Sequence, residues 1–158
     1  MKNNNKGFSY IELILVLGVM MLVVSFVTIS IGLVSRNSVT KAADKVSSKI
    51  SEARMLTIAK GVEKGAAVLK FENGSYYCVL DGESYKVASE PVSVSVVKDN
   101  GDVLSVSSLG TVPIKFNRNT GGLHSSNSDF DLIRVENASS GKSVVYKFQK
   151  ITGKLELQ

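Results

Sequence analysis

Lys6-Gly7-Phe8-Ser9-Tyr10-Ile11-Glu12-Leu13 decides the architecture of this chain, because a short basic head ends there and an apolar run begins. The head, Met1 to Gly7, carries Lys2 and Lys6. From Leu13 to Val34 the chain then runs 22 residues without a charge or a proline. About 20 apolar residues at about 1.5 Å rise cross a hydrocarbon core of about 30 Å, so the run predicts a membrane-spanning helix. Glu12 lies just inside the apolar segment that starts at Phe8. A carboxylate within a span costs roughly 2.5 to 3.5 kcal/mol at mid-helix and less near an end, and its default reading is functional, with a cationic partner.

A plain anchor explains the run but leaves the placement of Gly7, Phe8 and Glu12 without a reason. A secretory signal peptide has an apolar region of about 7 to 15 residues and a small-x-small cleavage site, of which Ser30-Ile31-Gly32 is a weak version. The sequence Gly7-Phe8-Ser9-Tyr10-Ile11-Glu12-Leu13, extending to Leu17, instead resembles the class III signal of type IV pilins and type II secretion pseudopilins. The resemblance implies cleavage by a prepilin peptidase between Gly7 and Phe8, N-methylation of Phe8, and an assembly role for Glu12. Its carboxylate would meet the terminal amine of a neighbouring subunit, since a buried acid without a counter-ion costs about 3–5 kcal/mol. Many family members carry a proline about two thirds along this helix; here there is none between Phe8 and Val34.

The implied partners are other pilin or pseudopilin subunits, the prepilin peptidase, an inner-membrane assembly platform and membrane lipid. The implied location is the cytoplasmic (inner) membrane, single-pass with the globular domain outside the cytoplasm, and then a pilus or pseudopilus. Charge alone argues the other way. Lys2 and Lys6 precede the span while Arg36, Lys41, Lys45 and Lys49 follow it, so a simple positive-inside count favours the opposite topology and the orientation rests on the resemblance.

Ser35 to Gln158 is 124 residues, a length that suits one compact domain. Cys78 is the lone cysteine, which excludes an intramolecular disulfide and leaves burial and sheet pairing to hold the domain. Many Gram-negative major pilins close a loop with a disulfide; this chain cannot, which favours a minor pilin or pseudopilin, or a Gram-positive source. The net charge of +5 falls to about +3 once Lys2 and Lys6 leave, too little and too dispersed to announce a nucleic-acid binder.

The expected organisation is a leader at 1–7, a transmembrane or filament-core helix at 8–34, an amphipathic helix at 35–60 and a β-rich globular domain at 61–158. Val39, Ala42, Ala43, Val46, Ile50, Ala53 and Ile58 follow the helical spacing, with Lys41, Asp44, Lys45, Lys49, Glu52 and Arg54 outward and Gly61 as a stop. After Gly65 the apolar period falls to two. Ala67–Phe71 and Tyr76–Leu80 flank Asn73-Gly74, a strong hairpin signal. Further strands are expected at Tyr85–Ala88, Val92–Val97, Val103–Val106, Val112–Phe116, Leu132–Val135, Val144–Phe148 and Leu155–Leu157, parted by glycine-containing turns. With no helix between the strands, the fold class is α+β: a long N-terminal helix packed on antiparallel sheet. In order, Val112 to Phe116, Arg118 to Gly122, the strand at Leu132, Val144 to Phe148 and Ile151 to Leu155 look like the closing blocks of the H-type minor pseudopilins and their pilus-associated relatives.

No catalytic constellation is present in the sequence, so the expectation is a structural protein and not an enzyme, with no cofactor and no metal. His124 is the sole histidine, in a Gly-Gly-Leu-His-Ser-Ser loop. Asp129 and Asp131, either side of Phe130, are the nearest thing to a cation pair, and Cys78 reads as a buried small hydrophobe. The alternative function is a competence-type pseudopilin or pilus-tip module that binds DNA through Arg118, Lys147, Lys150 and Lys154, with Lys142, Arg134 and the rings of Tyr146 and Phe148 nearby. Strand alternation argues against it, sending Val144, Tyr146 and Phe148 to the core and Lys147 outward.

Overall fold

The computed structural model describes residues 9–158, with the side chains of 25–37 excepted. The leader at 1–7 and the junction of Gly7 with Phe8 lie outside the described residues. The chain is α+β, an N-terminal helix followed by two antiparallel sheets. It divides into two compact units, the residues up to Val34 and Ser35–Gln158. Helix α1 covers Tyr10–Lys60. Among the described residues no helix is long and apolar enough to cross a membrane.

Within the Ser35–Gln158 unit, Val39, Ala42, Ala43, Val46, Ile50 and Ala53 of α1 are buried, as their spacing predicts. The stripe continues to Thr57 and not to Ile58, which is 44% exposed. Thr57 is one helical turn beyond Ala53, and its hydroxyl donates to the Ala53 carbonyl at 3.0 Å, so it enters the core with its polar atom satisfied. Gly61 ends α1, and a single turn, α2 (Val62–Gly65), brings Gly65 so close to the Thr57 backbone that no side chain fits there.

Strands β1 (Ala67–Glu72), β2 (Ser75–Leu80) and β3 (Glu83–Ser89) form a meander. The β1–β2 turn is Asn73-Gly74, both at positive φ (49° and 69°), the conformation that makes Asn-Gly a hairpin signal. Asp81-Gly82, which the expected strand set leaves unmarked, turns β2 into β3 in the same way. Strand β4 (Val92–Lys98) follows, then β5 (Val103–Ser105). Val106, expected at the end of that strand, instead opens α3 (Val106–Leu109), a helical turn between strands where none is expected. Its side chain is fully buried, so one turn of helix serves to place an apolar residue in the core.

Strand β6 (Thr111–Ile114) is shorter than the expected Val112–Phe116. The Lys115 N–H is captured by the Asn127 side chain at 3.0 Å, which stops the ladder, and Phe116 keeps only an isolated bridge to Leu123. Strands β7 (Phe130–Asn137), β8 (Lys142–Phe148) and β9 (Leu155–Leu157) complete the chain, the first two longer than expected. The sheet orders are β3-β2-β1-β6 and β5-β4-β7-β8-β9. One core serves both: Leu69, Cys78 and Ile114 from the first sheet pack with Val94, Ile133, Val135 and Phe148 from the second and with the buried stripe of α1.

Candidate functional site

The first turn of α1 is capped by its own acid. Glu12 lies three residues after Ser9, the spacing of a capping box, and its Oε2 accepts the Ser9 N–H at 3.0 Å. The Ser9 carbonyl in turn accepts from the N–H groups of Glu12 at 3.0 Å and Leu13 at 3.2 Å. The negative charge therefore sits at the helix N-terminus, where the peptide dipoles favour it. Cleavage between Gly7 and Phe8 would leave this cap intact, because the Ser9 N–H belongs to the Phe8–Ser9 peptide.

Around that acid the helix is apolar on every side. Ile11, Leu13, Leu15, Met20, Met21 and Val24 are each more than half exposed, and they point in different directions around the axis. At about 1.5–3 kcal/mol for each large apolar side chain taken out of water, this stretch is on the order of 20 kcal/mol better placed in lipid or among neighbouring helices.

The carboxyl-terminal blocks do come together in space. Arg54 of α1 donates through Nε to the carbonyls of Thr152 at 2.5 Å and Gly121 at 3.2 Å, tying two turns to the helix. Gly121, Gly122 and Gly153 are packed backbone against backbone beneath it, and Phe116 is buried beside Gly153. Leu123 N–H bonds the Lys150 carbonyl at 3.0 Å across the same junction. Arg54, expected on the outer face of the helix, is half-buried here; its pairing with distant carbonyls carries no local sequence signal.

The residues considered for DNA contact differ in what they meet. Lys147 pairs with Asp131 at 3.8 Å and Lys150 with Asp99, while Arg118 and Lys154 are exposed. Lys142 donates to the Thr40 hydroxyl at 2.7 Å. Phe148 is buried and Tyr146 is half-buried with its hydroxyl donating to Asp44 at 3.2 Å, so the rings are turned inward while Lys147 is exposed, as strand alternation predicts. Burial, with Asp44 adding to it, holds the Tyr146 hydroxyl above its usual pKa.

Asp129 and Asp131 take separate lysines. Asp129 pairs with Lys98 at 2.7 Å, and that hydrogen bond draws its carboxyl below the ordinary range and raises Lys98. Among the described residues no group of three metal-ligating side chains exists. His124 accepts the Ser126 N–H at 3.3 Å and so caps the 3-10 turn Ser125–Asn127. Cys78 is fully buried, and burial pushes its thiol from 9.0 to about 11. Comparison with protein-family models, with curated proteins and with solved structures gives no match for this chain.

Proposed function

We propose that this chain is a minor pilin or pseudopilin, of the H-type, that serves as a structural subunit and not as a catalyst. In this reading a prepilin peptidase cuts between Gly7 and Phe8, the new terminus is N-methylated, and the subunit waits in the cytoplasmic membrane as a single-pass protein with its β-rich domain outside. An assembly platform then moves it from lipid into a type IV pilus or a type II secretion pseudopilus. The observation that carries the reading is Glu12, a single acid at the head of an all-round apolar helix, next to the Gly7-Phe8 signal. One carboxylate oxygen caps its own helix through Ser9, and the other accepts the Phe8 amine of a neighbouring copy. Paired in this way, the acid is compensated when lipid is exchanged for protein.

The test is expression with a prepilin peptidase and an assembly system, read by intact mass and by sheared filament fractions. The wild-type chain loses Met1 to Gly7 and gains one methyl group. Glu12→Ala and Glu12→Gln are inserted and cleaved normally but enter filaments about tenfold less or worse, since a buried ionic partner is left unpaired. A native chain still beginning at Met1, or full incorporation of Glu12→Ala, defeats the proposal.

A further inference from the structure

Within the Ser35–Gln158 unit, α1 and β3 border a continuous groove, made of two adjoining hollows of about 550 and 400 Å³ that share Lys45, Lys86 and Val87. Ala42, Val87 and Val92 give it a buried apolar floor. Its rim is basic. Lys41 and Lys45, one turn apart on α1, and Lys86 on β3 are exposed and make no ion pair among the described residues. Lys49 is already engaged, at 2.7 Å from Glu52 and 3.5 Å from the centre of the Tyr85 ring. Of the two acids at the groove, Asp44 accepts the Tyr146 hydroxyl and Glu90 lies at the β3–β4 end. β3 is moreover the outermost strand of its sheet, so one row of its main-chain N–H and C=O groups has no strand beside it.

We propose that this groove binds an extended acidic segment of a partner polypeptide, which adds to β3 as a further strand and sets its carboxylates against Lys41, Lys45 and Lys86. The main chain of β3 supplies the hydrogen bonds and the lysines choose the partner. A second copy offering its own β3 brings Lys86 near Lys86 and is disfavoured by like charge. A nucleic acid finds cations but no free stacking ring, because the Lys49 ammonium covers the Tyr85 face. This inference stands apart from the filament reading and survives its failure.

The experiment titrates the full chain in detergent micelles with a dye-labelled peptide of alternating valine and glutamate. Three further probes accompany it: the same peptide with lysine for glutamate, the acidic peptide with alternate main-chain amides N-methylated, and a single-stranded oligodeoxynucleotide. The acidic peptide is expected to bind saturably, the other three at least about tenfold more weakly, and the amide signals of Ser84 to Val87 to shift as it binds. The double variant Lys45→Glu/Lys86→Glu, at exposed positions, weakens the acidic peptide by about tenfold or more. No saturable binding, equal binding of the N-methylated peptide, or preference for the oligonucleotide overturns the proposal, and the peptide comparisons decide it without any variant.

Discussion

Two titratable residues stand in opposite surroundings, Glu12 exposed and Cys78 buried. Glu12 meets a backbone donor in its own first turn, a contact that Ser9-x-x-Glu12 spells out in sequence. Cys78 has no such partner and is simply enclosed between β1 and β3 in the core. A thiol raised to about 11 keeps its proton in the folded state while the unfolded chain begins to lose it near the ordinary 9.0. The unfolded state therefore binds fewer protons over that window, and stability falls as pH rises from about 9 to 11, by up to roughly 2–3 kcal/mol. Cys78→Ala is expected to remove this alkaline slope relative to wild type, at the expense of a small cavity. Denaturant melts at a series of pH values measure it; identical slopes in the two proteins contradict it. The burial of Cys78 was readable from its place in a strand of alternating pattern, whereas Thr57 was not, because a threonine becomes a core residue only once Gly65 is folded onto it.

At the level of elements, most boundaries follow from local chemistry and the departures have long-range causes. Asn73-Gly74, Asp99-Asn100-Gly101, Ser140-Gly141 and Thr152-Gly153 all mark turns between antiparallel strands, as their residue types dictate. Strand β6 stops early because Asn127, 12 residues on, takes the Lys115 N–H, and β5 gives way to α3 because Val106 has an interior site to fill. The junction of the Gly121-Gly122 turn with the β8–β9 turn is the most constrained of these connections. Gly153 is at φ 67°, and a Cβ there would collide with the Gly121 carbonyl oxygen. Gly153→Ala is expected to destabilise the domain by about 2 kcal/mol or more, through both backbone strain and the lost Arg54 clamp. A thermal melt unchanged from wild type would show that this junction is not tightly packed.

At the scale of the whole molecule, the buried apolar residues among those described run from Val39 to Phe148, all within the Ser35–Gln158 unit. A fragment of residues 35–158 is therefore expected to fold alone, to melt cooperatively and to stay dispersed without detergent, since the exposed apolar surface from Tyr10 to Val24 has gone with the first unit. A fragment without a cooperative transition would mean that the domain depends on the preceding helix. The sequence by itself determined the helix, its change from all-round apolar to amphipathic, the placement of Glu12 beside Gly7-Phe8, the antiparallel class and most turns. Each of these is set by residue type and spacing over a few positions. Tertiary structure alone decided that the strands part into two sheets, that Arg54 reaches two distant turns, that Lys147 and Lys150 take acids, and that an open β3 edge lies beside a basic helix face. Those depend on which segments distant in sequence become neighbours, and hydrophobic period and turn chemistry carry no record of that.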